Sequence, residues 1–304
     1  MSVIYPNVAL IGLGLIASSM SHAIKRANAA KKITGYAQSA QTRDIAREID
    51  LCDVTEDLAS CVRDADLVVL CVPVGAMEPV MAEIAPHLKP GAILSDVGST
   101  KRAVIEIVAP HVPKTVTFIP GHPVAGTEYS GPRSGFATLF DNKWCLLTPL
   151  EGTDPAEIQK LTGFWQALGS YVEEMDPSHH DLVLSVTSHT PHLIAYTMVG
   201  VADDLGRVTD TEIIKYSAAG FRDFTRIAAS DPTMWRDVFL TNKDATLEIL
   251  GRFTEELFAL QRAIRQGDGA HLHDYFTRTR EIRQGIIDAG QDTAVPDFGR
   301  GSTE

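Results

Sequence analysis

Short apolar runs alternate with helix-like stretches through the first half of the chain. Nearly continuous apolar runs such as Ala65–Val74 are typical of parallel strands that are covered on both faces. Helical periodicity follows several of them, as over Ser18–Ala27 and Met77–Leu88. The predicted strands are Val8–Ile11, Ile33–Ala37, Ala65–Val74, Ala92–Val97, Val116–Pro120, Trp144–Pro149 and Tyr171–Met175. This alternation predicts a doubly wound α/β domain.

The pattern becomes helical in the second half of the chain. Asp176–His180 has the composition of a capped helix start, and Ala245–Ile264 carries apolar residues at helical spacing. Pro191, inside an otherwise helical stretch, predicts a kink or a helix start. Long helices with wide apolar faces need a partner surface, so we expect packing on a second copy of the chain. We therefore predict a first domain over 1–175 and an all-helical dimerisation domain over 176–304.

A glycine-rich loop follows the first strand and precedes the first helix. Its sequence, Gly-Leu-Gly-Leu-Ile-Ala, matches the dinucleotide-binding fingerprint of a Rossmann-type domain in the required context. One glycine allows the tight turn, and the second lets backbone N–H groups approach a pyrophosphate at the helix N-terminus. The residues predicted to hold the cofactor in this loop are Gly12, Leu13, Gly14, Leu15 and Ile16.

The end of the second strand leaves the choice between NAD and NADP open. An NAD site normally has an acid here that binds the ribose 2′-hydroxyl, but Gln38 and Ser39 follow Ala37. Without a carboxylate a 2′-phosphate is not repelled, and Ser39 and Arg43 could hold one. These residues could equally be ordinary caps and surface residues of the next helix. Val72 and Pro73, at the end of a neighbouring strand, are further cofactor candidates.

Two polar side chains follow strands at the same predicted sheet edge. His122 comes after the run that ends at Pro120, and ligands bind at this edge in such folds. Histidine exchanges protons near neutrality, so His122 is a candidate base, although it could simply be a loop residue bonded to its own turn. Ser99 follows the strand Ala92–Val97 and could be a helix N-cap, a catalytic hydroxyl or both.

The helical half contains two polar clusters, one around Ser188–His192 and one over Gly220–Trp235. Arg222 and Arg226 fall on one helical face, as suits recognition of a carboxylate by a guanidinium group. The alternative is a surface helix in which Arg226 pairs with Asp223 or Asp231. No third ligand at a recognisable spacing accompanies the two histidines of the first cluster, so we predict no metal site.

Composition narrows the classes of function. Apolar residues make up 44% and charged residues 22% of the 304 residues, as in ordinary globular proteins. A net charge of -12 without a basic stripe argues against binding to nucleic acid. No apolar run reaches the roughly 18 residues of a membrane span. The four cysteines lack paired spacing and the N-terminus lacks a basic region, so we expect reduced thiols and a cytoplasmic protein.

Together, these motifs resemble those of the prephenate/arogenate dehydrogenase family of tyrosine biosynthesis. The resemblance covers essentially the whole chain and rests on the order and spacing of separate segments. They are Gly12–Ile16, Asp96–Ser99, Gly121–Glu128 with Ser130–Pro132, Ser188–His192 and Gly220–Trp235. One departure is that many NAD-using members carry Asp where this chain has Ala37 and Gln38.

The resemblance implies an activity and a set of site residues. The reaction is oxidative decarboxylation of prephenate to 4-hydroxyphenylpyruvate, or of arogenate to tyrosine, with hydride transfer to NAD or NADP. His122 would be the base, Ser99 would bind the same hydroxyl, and Arg226 would bind the ring carboxylate. The other residues expected at the substrate pocket are Thr127, Glu128, Ser188, His189, His192 and Trp235.

Two other functions remain to be weighed. A β-hydroxyacid dehydrogenase of the 6-phosphogluconate type would need a Lys-x-x-x-Asn motif, whereas the chain has only Asn242 followed by Lys243. A non-catalytic dinucleotide sensor would keep the glycine loop but need not keep His122, Ser99 and Arg226 together.

Overall fold

A computed structural model describes residues 3–209 and 213–288. Its first part is a parallel six-stranded sheet in the order β3-β2-β1-β4-β5-β6, which confirms the predicted doubly wound fold. The strand order reverses beside β1, which opens a crevice at the carboxyl ends of β1 and β4. The strands are β1 Tyr5–Ile11, β2 Ala30–Tyr36, β3 Asp53–Val54, β4 Leu67–Leu70, β5 Ile93–Asp96 and β6 Thr117–Phe118.

Both faces of this sheet are buried, which accounts for the continuous apolar runs. In β1, Val8 and Leu10 belong to one apolar cluster, whereas Ala9 and Ile11 belong to a second cluster. Successive side chains of a strand point to opposite faces, so every position from Val8 to Ile11 must be apolar. The helices of this part are α1 Leu15–Ala27, α2 Ala40–Glu48, α3 Leu58–Val62, α4 Met77–Ile84, α5 Arg102–Val108 and α6 Pro155–Ala167.

A second, smaller sheet carries His122 and differs from the prediction. It contains β7 Gly121–Pro123, β8 Trp144–Leu147 and β9 Tyr171–Glu174. β7 runs antiparallel to β8, and β8 runs parallel to β9. His122 was expected on a loop but lies inside β7, opposite Leu146. Its strand forms by pairing with residues more than twenty positions away, which a local sequence pattern cannot indicate.

Several predicted strands are also shorter than expected. The run Ala65–Val74 contributes only β4, because the chain turns at Pro73 into a single 3₁₀ turn, Val74–Ala76. Proline lacks the backbone donor that a strand ladder requires. Val116–Pro120 likewise contributes only the two residues of β6.

The second part of the described chain is helical, as predicted. Pro191 lies in the first turn of α8, where its missing N–H group costs little, and a π-helical segment, Ser185–His189, precedes it. The helices are α7 Pro177–Leu184, α8 Thr190–Thr209, α9 Ala219–Thr225, α10 Pro232–Thr241, α11 Lys243–Gln266 and α12 Gly269–Asp288.

By compactness, the chain divides into two units, Met1–Leu247 and Glu248–Glu304. The candidate site lies entirely in the first unit. In the second unit, large apolar side chains such as Phe258 and Ile264 are exposed. None of the helices in the described residues is long and apolar enough to cross a membrane.

Candidate active site

His122 is buried and is held by a second histidine. Its Nδ1 lies 2.9 Å from Nε2 of His180, a residue of α7, and the two rings meet edge to face. The Nδ1 of His180 lies in turn 2.8 Å from Oδ1 of Asp181. The three side chains therefore form a continuous chain of hydrogen bonds that ends on a carboxylate.

The Asp181 carboxylate determines which atom donates and which accepts in each of these hydrogen bonds. An ionised carboxylate only accepts hydrogen bonds, so His180 Nδ1 must carry a proton. The Nε2 of neutral His180 is then an acceptor, and His122 Nδ1 donates to it. In the part of the chain that the structure describes, His122 Nε2 makes no hydrogen bond, so its lone pair is free to take a proton.

Asp181 also caps helix α5, which removes one alternative for Ser99. The backbone N–H of Lys101 donates to Asp181 Oδ1 at 2.7 Å, and that of Arg102 donates to Oδ2 at 3.0 Å. Ser99 is therefore not the cap of this helix, because a carboxylate from α7 takes that position. The Ser99 hydroxyl is half-buried and makes no hydrogen bond within the described residues, so it is available to a ligand.

A fully buried ion pair lies under the strand that carries His122. Lys101 Nζ donates to Asp96 Oδ2 at 2.5 Å and to the Gly121 carbonyl at 2.6 Å. Asp96 also accepts the backbone N–H groups of Gly98 and Gly121. This network joins the end of β5 to β7 and fixes the backbone on the N-terminal side of His122.

Burial keeps these groups in defined charge states. Desolvation, reinforced by His180 and Lys101, holds the pKa of His122 well below its usual range. Desolvation also lowers the pKa of His180. Burial alone would raise the pKa of Asp181, but hydrogen bonds from His180 and the two backbone N–H groups lower it. Near neutral pH, His122 is therefore uncharged and Asp181 is an ionised carboxylate.

The segment around α8 places two further histidines beside an aromatic residue. The His192 ring stacks on Trp235 at 3.7 Å between centroids, and its Nδ1 hydrogen-bonds to the Ser188 carbonyl. His189 meets the edge of Trp235, and its Nδ1 lies 3.1 Å from Asn242 Nδ2. Burial lowers the pKa of His189 to about 4, although a hydrogen bond with the Ser99 backbone partly opposes this shift. The structure thus brings together Ser99, His189 and Trp235, three of the residues expected at the substrate pocket.

Arg226 pairs with a residue from the first half of the chain. Its Nη1 lies 3.0 Å from Oε2 of Glu128, a partner that the sequence analysis did not suggest. The Arg226 side chain remains 54% exposed, so its other donors can reach a ligand. Thr127 accepts the backbone N–H of Tyr129 and orders the loop that carries Glu128.

The glycine loop fits a dinucleotide. Gly12 has a φ of 95°, and a Cβ there would lie 2.8 Å from the Cys71 carbonyl oxygen. A Cβ on Gly14 would have no atom within 4 Å, so the backbone here faces open space. Gly14 precedes α1, and no side chain caps that helix. The free N–H groups of α1 and this open surface suit a pyrophosphate.

The ribose end contains an anchored arginine. Arg43 Nη1 donates to the carbonyls of Ala37 and Gln38 at 2.7 and 3.0 Å, and the guanidinium lies over the Tyr36 ring. Ser39 accepts the backbone N–H of Thr42 and caps α2, which is the ordinary role that the sequence left open. Val72 and Pro73 lie just beyond β4, with Val72 half-buried and Pro73 exposed.

Sequence reasoning missed the polar residues that support His122. They are Asp96, Lys101, His180, Asp181 and Asn242. The predicted capped start at Asp176 did place His180 on a helix, and Asp176 accepts the N–H groups of Ser178 and His179. Which helix face meets β7 depends on tertiary packing, so spacing alone could not pair His180 with His122.

Comparison with known families and proteins gives a consistent result. The model of the prephenate dehydrogenase nucleotide-binding domain matches residues 20–174, and that of the prephenate dehydrogenase dimerization domain matches residues 176–278. A cyclohexadienyl dehydrogenase of Zymomonas mobilis is 41% identical, with 92% of this chain and 96% of the relative aligned. A prephenate dehydrogenase of Bacillus subtilis is 33% identical, with 96% and 79% aligned.

Comparison with solved structures gives the same result as the comparison with families and related sequences. A prephenate dehydrogenase from A. aeolicus, crystallised with hydroxyphenyl propionate and NAD+, has a TM-score of 0.86 and 30% identity, covering 94% of this chain and 99% of that one. A Synechocystis arogenate dehydrogenase has a TM-score of 0.75 and 27% identity, covering 92% and 99%.

Proposed function

We propose, from the premise that the chain belongs to the prephenate dehydrogenase family, that it oxidatively decarboxylates prephenate, arogenate or both. The substrate ring carries a carboxylate opposite a carbon that bears a hydroxyl group. Loss of hydride from that carbon and of carbon dioxide from the opposite one makes the ring aromatic. The protein must bind the carboxylate and remove the hydroxyl proton.

NAD(P)+, when bound, supplies the hydride acceptor. Gly12, Gly14 and the N-terminus of α1 would hold its pyrophosphate, and Arg43 and Ser39 lie where its ribose end would reach. This interpretation is supported by the open space at Gly14 and by the helix N–H groups left without a side-chain cap.

His122 is the proposed base. Its Nδ1 is committed to His180, so Nε2 is the atom that takes the proton of the substrate hydroxyl. Such general base catalysis is worth roughly 10²–10⁴-fold in rate. The single observation that carries the proposal is this directed hydrogen-bond chain, which leaves a free, uncharged imidazole nitrogen on a buried residue.

The other predicted residues would bind the substrate. Arg226 would grip the ring carboxylate with the donors that Glu128 does not use, and Ser99 would donate to or accept from the same hydroxyl as His122. Trp235, His189 and His192 would form an aromatic and polar wall of the substrate pocket. Ser188 would support this wall through its backbone carbonyl, and Thr127 would order the loop that carries Glu128. The β-hydroxyacid dehydrogenase alternative is not favoured, since the likeness to a 3-hydroxyisobutyrate dehydrogenase is one of fold, at 12% identity.

The proposal also includes the domain boundary, the oligomeric state and the cellular location of the protein. We place the functional domain boundary near residue 175, between the segments that the two family models match. The helical part would form a homodimer, as the description of its family model and the exposed apolar side chains suggest. The four cysteines are free, which supports the expected cytoplasmic location.

A kinetic comparison of both substrates with both cofactors tests the proposal. We expect reduced nicotinamide to form with prephenate or arogenate, with one aromatic product for each hydride transferred. We also expect NADP to support turnover, because the only groups at Gln38–Arg43 are neutral or basic. Failure of every combination would refute the function, and turnover with NAD alone at millimolar concentrations would refute our interpretation of the ribose site.

A further inference from the structure

The proposed reaction releases no net proton. The hydroxyl O–H bond breaks and its proton passes to His122, while the carbon is oxidised by loss of hydride to NAD(P)+. When the bond to the carboxylate breaks, its electron pair enters the ring and leaves the oxygen as a phenolate. That oxygen takes a proton back, so one proton leaves and returns to the same atom.

The proton balance closes within the site if the base holds this proton through the loss of carbon dioxide. Holding it is difficult at His122, because the ring is buried and a positive charge on His180, Lys101 or His189 would disfavour a charge on His122, so His180 must stay neutral. The groups facing His122 are His180 from α7, His189 from the π-helical segment and Lys101 from the loop after β5. Lys101 is already paired with Asp96, which leaves Asp181 as the carboxylate at the end of the histidine chain.

We propose that His180 and Asp181 are positioning residues that fix the His122 tautomer and stabilise its protonated form until the proton returns to the substrate oxygen. The inference rests on the proposed function. Asp181 accepts from His180, which accepts from His122, so the proton stays on His122 Nδ1 and Nε2 is left to accept a proton. Two backbone N–H groups of α5 orient the Asp181 carboxylate, and Asn242 donates to its backbone carbonyl.

The tautomer of His122 can be observed in the free protein. Nitrogen NMR of the ¹⁵N-histidine-labelled wild-type protein should show neutral His122 with its proton on Nδ1. In His180→Leu, which removes the acceptor, the proton should move toward Nε2. A wild-type spectrum with the proton on Nε2 would overturn the proposal without any variant or any substrate.

Kinetics provide the second readout. His180→Leu and Asp181→Asn should lower kcat by at least about tenfold, with KM little changed, because loss of the group that fixes the tautomer of a catalytic histidine can cost up to about 10⁴-fold. His180→Gln should recover part of the loss, because its amide offers one acceptor and one donor. The matched control is His179→Gln: the side chain of His179 is exposed on the same helix and makes no hydrogen bond to the residues that the structure describes.

The outcomes separate the inference from the proposed function. If the wild-type protein does not turn over either substrate, the function fails, while the NMR result still tests the tautomer. If the wild-type protein is active and His180→Leu keeps its kcat within about threefold, far less than loss of a general base costs, the positioning role is wrong. A fall in kcat that His180→Gln does not relieve, together with an unchanged His122 tautomer, would also contradict it.

Discussion

At the scale of single residues, chemistry was easier to predict than contacts. His122, Ser99 and Arg226 could be proposed from residue type, from position at strand ends or on a polar helix face, and from the family resemblance. Their partners do not follow from local sequence, because His180 lies 58 positions from His122, Asp181 lies 80 positions from Lys101 and Glu128 lies 98 positions from Arg226. Local sequence patterns carry no information about such pairs, so the hydrogen-bond network around His122 can be seen only in the folded structure.

Arg226→Ala should weaken substrate binding much more than cofactor binding. Truncating one partner of a hydrogen-bonded charge pair costs about 2–5 kcal/mol. Because Arg226 is half-exposed in the free chain, we expect the lower end, a rise in KM of about 30-fold, at ~1.4 kcal/mol per tenfold. Arg226→Lys should restore part of the loss, since an ammonium lacks the bidentate fork.

The control for this substitution is Arg252→Ala, which removes an exposed ion pair with Glu248 in α11. The melting temperature of each variant should be measured beside KM for both substrates. If Arg226→Ala keeps the wild-type KM, or loses activity only in proportion to its loss of folded protein, Arg226 does not bind the substrate.

At the scale of elements, the turn between β1 and α1 was the most predictable part of the molecule. The helix begins at Leu15, three residues earlier than expected, because Gly14 serves as its N-cap position. Glycine stands at positions 12 and 14 for different physical reasons. Gly12 combines a left-handed backbone with contact to Cys71, whereas Gly14 has an extended backbone, φ −87° and ψ −163°, that alanine can adopt.

These reasons predict opposite effects for two alanine substitutions. Gly12→Ala should lower stability by about 1–3 kcal/mol, because its Cβ meets the Cys71 backbone just beyond β4 and its φ is strained. Gly14→Ala should change the free energy of unfolding by no more than about 0.5 kcal/mol. It should nevertheless weaken NAD(P) binding by about tenfold or more, since its Cβ occupies the space of close pyrophosphate approach.

Denaturant unfolding and calorimetric titration with the cofactor separate the two effects. Each variant is the control for the other. Unchanged cofactor affinity in a folded Gly14→Ala protein would mean that the pyrophosphate does not lie against this loop.

At the scale of the whole molecule, the alternation of strands with helices and the change to an all-helical second part could be predicted, whereas strand lengths could not. Alternation of apolar runs identifies a doubly wound sheet because both faces must be buried. The limits of β4, β6 and β7 depend on prolines and on pairing with distant strands. The long helix predicted at Ala245–Ile264 is observed as Lys243–Gln266, and Leu247 and Leu257 on it are exposed.

Exposed apolar side chains on α11 and α12 predict association. We expect sedimentation to give about twice the 33.0 kDa mass of the chain at micromolar concentration. Phe258→Glu should shift the protein toward monomer, because burying an unpaired charge in an interface is costly. Glu255→Gln, an exposed polar change on the same helix, should leave the mass unchanged. A wild-type monomer at this concentration would contradict the predicted dimer.

The most direct test of the account is the turnover of His122→Asn. Asparagine keeps a polar side chain of similar size but cannot accept the hydroxyl proton. We predict that kcat falls by roughly 10²–10⁴-fold, the range for loss of a general base. The affinity for NAD(P) should be unchanged, because His122 lies outside the glycine loop. A His122→Asn protein whose kcat stays within about threefold of the wild-type value would contradict the central claim that this residue takes the substrate proton.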